Sequence, residues 1–342
     1  MARKSGLLWL VGLLSLSSCI TFERYPIEVY KPSSYTFPAY VHTVGIVSRN
    51  LKYESDTLQS YHLSNGKLIK DPKIIDIDLQ AKQICIDSLA YKLRLHNRFD
   101  SIFAIPADAF QEKKVKEIRP AINSWYQSLA TRNQADALIL LDMFSCFYKV
   151  DDNYQSPEVN VITSNIWSVY DTHAGKITDR HQQIDTLYWD GYDDNGNYRK
   201  IKLPEKKEAI KLAAAVIAND YAKHIIPGWT MVYREIMSNI NPDLQVASAL
   251  AKKGDWDKAK AMWQEISGNS NKKNRIIALY DLALASEMDG DTEKALDLCE
   301  QGAQESSGLF LKNINQAIKE YSAVLFKRKI ELEKLKIQNE NH

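Results

Sequence analysis

The stretch at residues 188–198 holds residue types that could bind a small ligand. Its candidate side chains are Trp189, Tyr192, Asp193 and Asp194. Aromatic faces beside carboxylates are typical of glycan sites, and clustered carboxylate oxygens are typical of calcium sites. The competing interpretation is a β-hairpin tip, for which Asn195-Gly196 supplies the turn. The sequence therefore leaves open a glycan or ion site and a purely structural turn.

The spacing of these carboxylates does not fit an EF-hand calcium loop. That loop takes oxygen ligands at positions 1, 3 and 5, glycine at position 6 and glutamate at position 12. If Gly196 were the loop glycine, Gly191 would stand where the first ligand belongs and Lys202 would stand at the glutamate position. We expect no bound metal and no cofactor.

Motifs that carry catalysis are absent from the sequence. It holds no GxSxG, HExxH, P-loop or GxGxxG pattern. His173 and His181 stand near Asp171, Asp179 and Asp185, where a polar surface is a simpler interpretation than a metal or acid–base pair. The formal net charge of +1 gives no dense basic face for nucleic acid. We therefore predict a protein without enzymatic activity and without a nucleic-acid partner.

The N-terminus carries a targeting signal. Arg3 and Lys4 precede an apolar run at residues 6–16, and small residues then lead to Cys19. This order is typical of a secretory signal, and Leu16-Ser17-Ser18-Cys19 resembles a bacterial lipobox. The resemblance implies cleavage after residue 18 and diacylglycerol on the Cys19 thiol; the alternative is an ordinary signal with a chance cysteine. We expect residues 1–18 to be a signal peptide.

The segment at residues 19–40 is predicted to be a lipidated, extended tether, because it holds Pro26, Pro32 and Pro38. Its first residues, 20–24, lack the acidic run that marks surface-exported lipoproteins of Bacteroidetes. We therefore expect attachment to the outer membrane through the lipid, on its periplasmic face.

Residues 41–238 alternate between strand and helix patterns and predict an α+β domain. Its mixed, largely antiparallel sheet is expected to carry packed helices. The predicted strands are 41–49, 101–105, 137–150, 159–171, 176–189 and 229–237, and the predicted helices are 78–95, 111–133 and 205–224.

Two short motifs in this region resemble known envelope proteins. The first is Ala135-Asp136 leading into the strand at residues 137–150, and the second is Asp171 followed by Gly175-Lys176-Ile177. The order of elements is similar to the small α/β domain of the curli-secretion lipoprotein and of lipoprotein activators of penicillin-binding proteins. The whole chain also resembles a family of Bacteroidetes lipoproteins with helical repeats at the C-terminus. These resemblances imply architecture rather than a reaction.

Residues 239–342 predict an all-α domain of tetratricopeptide-like repeats with a long terminal helix. Gly254-Asp255-Trp256 and Gly290-Asp291-Thr292 begin matching segments 36 residues apart, close to the repeat period of about 34. Such arrays bind peptides in a concave groove. The predicted groove residues are Ser248, Lys252, Tyr280, Leu284 and Glu287. Structural packing of the same face is the alternative, as is a generic helical bundle.

Two further side-chain types bear on modification. Asp56-Thr57-Leu58 matches the short O-glycosylation motif of Bacteroidetes, so Thr57 is a candidate acceptor. Cys85, Cys146 and Cys299 are expected to be buried thiols, with a Cys85–Cys146 disulfide as the alternative.

The sequence as a whole predicts an outer-membrane lipoprotein that binds an envelope protein. The alternative is a glycan- or peptidoglycan-binding regulator that uses the hairpin near Trp189.

Overall fold

The computed structural model describes residues 20–57, 60–71, 77–151, 156–268, 271–309 and 311–340. It divides into two compact units. Ser33–Pro227 form the first, which we call the sheet domain. Residues 20–32 and Gly228–Ile337 form the second, which we call the helical unit. Cys19 and the predicted signal peptide lie outside the described residues.

Ten strands are described, and they form two separate sheets. They are β1 (Thr21–Lys31), β2 (Thr43–Tyr53), β3 (Tyr61–Ser64), β4 (Lys67–Lys70), β5 (Ser101–Ala104), β6 (Lys113–Val115), β7 (Ala137–Asp151), β8 (Glu158–Asp171), β9 (Lys176–Trp189) and β10 (Gly228–Ser238). β2 to β9 make the mixed sheet of the sheet domain. In it β2 pairs in parallel with β5, β6 and β7, whereas β7, β8 and β9 form an antiparallel meander.

Eight α-helices are described. They are α1 (Ile77–His96), α2 (Asn123–Arg132), α3 (Lys206–Ile225), α4 (Pro242–Lys252), α5 (Trp256–Ser267), α6 (Lys272–Met288), α7 (Thr292–Ser306) and α8 (Lys312–Glu340). None of the helices in this part of the chain is long and apolar enough to cross a membrane. The predicted fold class, a mixed α+β domain followed by a helical region, is confirmed.

The main core of the sheet domain lies between the sheet and the helix pair α1–α3. α1 buries side chains at helical spacing, among them Ala81, Cys85 and Leu89, because only one face of the helix meets the sheet. Ile139 on β7 and Ile217 on α3 complete the same core. Burial of each large apolar side chain contributes about 1.5–3 kcal/mol. This core fixes the strands on which the candidate site stands.

β1 and β10 pair antiparallel over their full length and form the two-stranded sheet of the helical unit, which we call the ribbon. Ile236 and Met237 at the end of β10 are buried in the core that α4 to α8 build. Phe22 and Tyr25 of β1 pack against the same core. The ribbon is therefore part of the helical unit.

The helices α4 to α7 form two successive helix pairs with matching turns. Gly254 and Gly290 have φ of +90° and +84°, a conformation that side chains rarely adopt. The next residue, Asp255 or Asp291, is the N-cap of the following helix. The carboxylate of Asp291 accepts the Lys294 N–H at 3.0 Å, whereas the Asp255 side chain makes no capping hydrogen bond. The matching segments thus mark equivalent turns, and their assignment to the tetratricopeptide class stays a prediction.

The interpretation of residues 19–40 as an extended tether is wrong for residues 21–31, which form β1. Prolines suggested a tether, but Pro26 is accommodated because β1 is an edge strand. The pairing partner, β10, lies about two hundred residues further along the chain, so no local pattern reveals it. The predicted boundary at residues 238/239 also falls inside the helical unit, since β10 belongs there.

The prediction of a helix over residues 111–133 is wrong for its first half. Lys113–Val115 form β6, and the helix begins only at Asn123. Pro120 lacks an N–H and disfavours a continuous helix. Parallel pairing of β6 with Leu51–Tyr53 then takes over the backbone hydrogen bonds of this segment.

Candidate functional site

The predicted groove of the helical unit is filled by the ribbon of the same chain. Ser248, Tyr280, Leu284 and Glu287 are only 2%, 4%, 0% and 8% exposed. Lys252 alone stays at the surface, where its Nζ lies 2.5 Å from the Glu23 carboxylate of β1. The prediction of an open groove is therefore wrong for the four buried side chains. β10 is bonded to Ser248 and Glu287, and Tyr321 of α8 packs against Tyr280.

Hydrogen bonds hold β10 against the helices. The backbone N–H of Met237 donates to Asp281 Oδ1 at 2.8 Å, and Ser248 Oγ lies 3.4 Å from the Met237 carbonyl oxygen. Asp281 is fully buried, and burial raises the pKa of its carboxyl well above the ordinary value of 3.8. These contacts resemble those that a groove makes with a bound strand, except that the strand is the chain's own.

An ion pair beneath the ribbon joins β10 to α6. Arg234 Nε and Nη2 donate to the two carboxylate oxygens of Glu287 at 2.8 and 2.6 Å. Tyr321 of α8 also donates to Glu287, at 2.8 Å. The two charged side chains are 12% and 3% exposed. What remains of the groove is a cavity of about 350 Å³ beside β10, which Tyr233, Arg234, Tyr280 and Tyr321 help to line.

At the hairpin, the Asp193 carboxylate of the predicted glycan or ion site is hydrogen-bonded to groups of its own turn. Trp189 is partly buried and packs against the core of the sheet domain. Asp193 accepts the backbone N–H groups of Asn195 and Asn197 and the Nε–H of Arg199, at 3.0, 2.9 and 2.7 Å. The Asn197 N–H and Arg199 lower the pKa of this carboxyl. Asp193 therefore stabilises the turn, which agrees with the interpretation of this stretch as a β-hairpin tip.

Tyr192 and Asp194 are the two exposed members of that hairpin set. Tyr192 packs edge-on against Tyr198, with ring centroids 5.5 Å apart, and its hydroxyl lies 3.0 Å from Ser156 Oγ. Within the described residues, no group of three or more His, Cys, Asp or Glu side chains is arranged to hold a metal ion. Glycan binding at this hairpin stays a prediction, without the aromatic platform that Trp189 was expected to provide.

The remaining predicted positions fall in three places. Thr57 is exposed, as a glycosylation acceptor must be, and its modification stays a prediction. Cys85, Cys146 and Cys299 are free and buried, and burial raises the pKa of each thiol. Cys19, the predicted lipidation site, lies outside the described residues.

A cavity in the sheet domain was not predicted from the sequence. It encloses about 550 Å³ between β2, β6, α2 and the segment that joins the last two, and we call it the sheet cavity. Its walls are mainly apolar and aromatic, and they include Leu51, Phe110, Val115, Ile122 and Trp125. That volume lies within the range of about 300–1,000 Å³ that is usual for ligand sites.

A buried ion pair forms the floor of the sheet cavity. Arg49 Nη1 donates to Asp142 Oδ1 at 2.7 Å, and Ser168 Oγ donates to the other oxygen at 2.6 Å. The Arg49 and Asp142 side chains are 9% and 2% exposed. Because Asp142 is buried within β7, it requires a cation, and Arg49 on the neighbouring strand supplies it. Asp142 within the apolar run of β7 was the signal that could have located this site.

The aromatic wall of the sheet cavity is fixed by stacking. Trp125 packs against Phe110 and Tyr126, with ring centroids 5.5 and 5.2 Å apart, and Tyr126 stacks on Tyr170 at 4.7 Å. The guanidinium carbon of Arg49 lies 6.0 Å from the Trp125 ring centroid, within cation–π range. The wall is therefore positioned before any ligand arrives.

A bulge in β2 shapes the cavity edge. The register of β2 with β7 shifts between Ser48 and Leu51, and Asn50 adopts a φ of +51°. The Asn50 side-chain amide donates to the carbonyl oxygens of Ala107 and Phe110, which holds the Phe110 segment in place. Bulges often re-aim side chains next to functional sites.

The rim of the sheet cavity carries more cations than anions. Lys113 and Arg119 stand there with Glu117, and Arg119 Nη2 lies 2.6 Å from the Glu117 carboxylate in an exposed pair. Ile122, 74% exposed, adds an apolar group to the rim. The arrangement suits an apolar or aromatic group that carries a carboxylate nearby.

A second polar cluster lies between β9 and α3. The rings of His181 and His224 stack with centroids 4.2 Å apart, and His224 Nε2 lies 2.9 Å from Asp179 Oδ2. Tyr221 packs between these rings and the buried Trp167. Burial and the neighbouring His224 lower the pKa of His181, while Asp179 acts in the opposite direction. We therefore expect protonation of His181 to destabilise the sheet domain.

Together these features define a two-unit α+β protein with an open, preformed cavity in its sheet domain. The chain belongs to the family described as a domain of unknown function (DUF8603), whose model matches residues 41–236. A second family model, domain of unknown function (DUF6340), matches residues 245–327. No curated protein sequence matches the chain.

Five chains among solved structures match this protein. One is the lipoprotein GNA1162 from Neisseria meningitidis, at 12% sequence identity and a TM-score of 0.25. The match covers 52% of this chain and 98% of that chain.

Proposed function

We propose that the protein is a lipid-anchored, non-catalytic component of the cell envelope that binds another envelope protein through the sheet cavity. The anchor is the lipid on Cys19, at the periplasmic face of the outer membrane. The lipobox-like residues 16–19 support the anchor, since lipid transfer requires a cysteine at this position.

The preformed sheet cavity is the observation that carries the binding function. Its ion-paired floor and stacked aromatic wall are ordered without a ligand, which lowers the entropic cost of binding. Trp and Arg are also the side chains that dominate protein interfaces. The exposed Ile122 beside the opening extends the apolar surface beyond the cavity. A surface that continues outside a cavity favours a protein partner over a small ligand.

The rim charges indicate which partner segment fits. Lys113 and Arg119 outnumber Glu117, and the Arg49 charge is already matched by Asp142. We therefore infer an occupant with an apolar or aromatic side chain next to an acidic residue. The apolar side chain would contact Trp125, and the carboxylate would face the rim cations.

Site-specific photo-crosslinking in cells tests this proposal. A photoreactive amino acid replaces Ile122 at the rim, or Leu95, which is 63% exposed on α1. We expect one defined envelope protein to be crosslinked from position 122 and not from position 95. The Trp125→Ala variant, with its folding checked by thermal melting, is expected to remove that product.

Charge reversal sharpens the same test. Arg119→Glu should weaken the crosslink from position 122, whereas Lys207→Glu, at an exposed position on α3, should leave it unchanged. Equal products from positions 122 and 95, or a product indifferent to Trp125→Ala, would contradict binding at the sheet cavity.

A further inference from the structure

The ribbon has one exposed aromatic face. Trp229, Met231 and Tyr233 alternate along β10 and are 68%, 57% and 61% exposed. Tyr30 of β1 stands directly opposite Trp229, and the two ring centroids lie 5.3 Å apart. Because side chains two apart point to the same side of a strand, these residues form one contiguous patch.

Phe22 and Met237 lie on the same face at the other end of the ribbon but pack in the core of the helical unit, so the patch is confined to one end of that face. The opposite face is largely turned into the protein, although Thr230 is exposed. Ile27 and Val29 of β1 are only 7% and 6% exposed, and Arg234 of β10 is tied to Glu287 on α6. A one-residue shift would exchange the two faces and expose the buried set. The aromatic patch is therefore held outward by the packing beneath it.

The composition of this patch matches a membrane–water interface. Trp and Tyr are enriched at that depth because their rings are apolar and their N–H or O–H groups reach water. Large exposed apolar patches on soluble proteins usually mark an interaction site.

The predicted lipid anchor indicates that the bilayer is what contacts this patch. β1 begins at Thr21, two residues after Cys19 in the sequence, so a lipid on Cys19 would start the ribbon at the membrane surface. At about 3.3 Å per residue, Tyr30 lies roughly 30 Å along the ribbon from that end. The ribbon would then contact the membrane at two points, the lipid on Cys19 at one end and the aromatic patch at the other.

We propose that the exposed patch of Trp229, Met231 and Tyr233 lies in the interfacial layer of the bilayer that holds the Cys19 lipid. This inference rests on the lipid anchor of the proposed function. Glu28 and Glu235 share the face with Arg24, so the patch has no excess of positive charge. Contact is therefore driven by the aromatic and apolar side chains, and it should not depend on anionic lipid.

Spin-label accessibility of the lipidated full-length protein in liposomes tests the contact. A nitroxide is placed at Met231→Cys on the aromatic face, or at Thr230→Cys on the opposite face. The three described cysteines are buried and do not compete for the label. We expect the ratio of oxygen to nickel-complex collisions to be several-fold higher at position 231 than at 230, with or without anionic lipid.

Two variants separate patch and anchor. Trp229→Ser with Tyr233→Ser should return the label at position 231 to water, whereas Tyr91→Ser with Leu95→Ser, equally exposed on α1, should not. Palmitate incorporation at Cys19 is measured on the same preparation. If the protein is lipidated and position 231 is as water-accessible as 230, the ribbon contact is wrong and the anchor stands; if Cys19 carries no lipid, both are overturned.

Discussion

The helical unit and the sheet domain both place aromatic side chains around a buried arginine–carboxylate pair, but they treat the adjoining space differently. In the helical unit, Arg234 and Glu287 hold the chain's own strand β10 over the helices. In the sheet domain, Arg49 and Asp142 form the floor of an open cavity of about 550 Å³. Both units thus combine a buried ion pair with aromatic side chains, and they differ in whether a segment of the chain covers the adjoining space.

The largest expected effect comes from breaking the ion pair under the ribbon. Arg234→Ala leaves Glu287 buried with Tyr321 alone, so we expect a loss of about 3–5 kcal/mol in the free energy of unfolding, measured by urea denaturation. Lys258→Ala, which removes an exposed pair with Asp255, should cost less than about 0.5 kcal/mol. A small loss for Arg234→Ala would mean that the ribbon is not held as described.

A stabilising change should follow at Asp281. Its folded-state pKa is raised above the unfolded value, so the stability that this carboxyl contributes is fully present below about pH 3.8 and is lost as the pH rises through the folded pKa. Asp281→Asn keeps an oxygen for the Met237 N–H and does not titrate. We expect the variant to gain stability over wild type as the pH is raised, in urea titrations between pH 4 and 8. If the difference in the free energy of unfolding between variant and wild type stayed constant from pH 4 to 8, the raised pKa of Asp281 would be contradicted.

Acid should weaken the sheet domain through His181. Its folded pKa lies below the ordinary value of 6.5, so the stability it contributes is present above that pH and is lost as the pH falls through the folded pKa. Its neighbours are Asp179 on β9, and His224 and Tyr221 on α3. His181→Phe should flatten the pH dependence of thermal unfolding between pH 7 and 5. If the variant kept the pH dependence of wild type, groups other than His181 would be responsible for any loss of stability in acid.

The smallest expected effect on stability is at the rim of the sheet cavity. Ile122 is 74% exposed, so Ile122→Ala should change the free energy of unfolding by less than about 0.5 kcal/mol. Affinity for the partner should nevertheless fall, because the side chain adjoins Trp125 at the opening. Titration of the purified partner, once crosslinking identifies it, measures the affinity; equal affinity for variant and wild type would remove Ile122 from the interface.

The elements predicted well are those with a local pattern. α1 was expected at residues 78–95 and spans Ile77–His96, since its buried positions recur at helical spacing. The strands β7, β8 and β9 were likewise expected from their apolar runs and period-two alternation. In each case the sequence around the element contains the signal that decides its structure.

The elements missed depend on distant partners. β1 pairs with β10, and β6 pairs in parallel with the end of β2, so neither strand is decided by its own neighbours in sequence. The prediction of an open groove was wrong for the same reason, since β10, which is bonded to Ser248 and Glu287, is held in place by pairing with β1, about two hundred residues away in sequence. The sheet cavity needs Arg49 and Trp125, which meet only in the folded chain.

Hydrogen–deuterium exchange of the purified full-length protein tests most directly whether the groove is filled by the ribbon. We expect the amides of residues 234–238 to be as protected as those of α6 and to become exposed together with them as urea is added, because Met237 and Arg234 are bonded to that helix. Rapid exchange of residues 234–238 beside a protected α6 would contradict the account, since the groove would then open to solvent and be free for a partner.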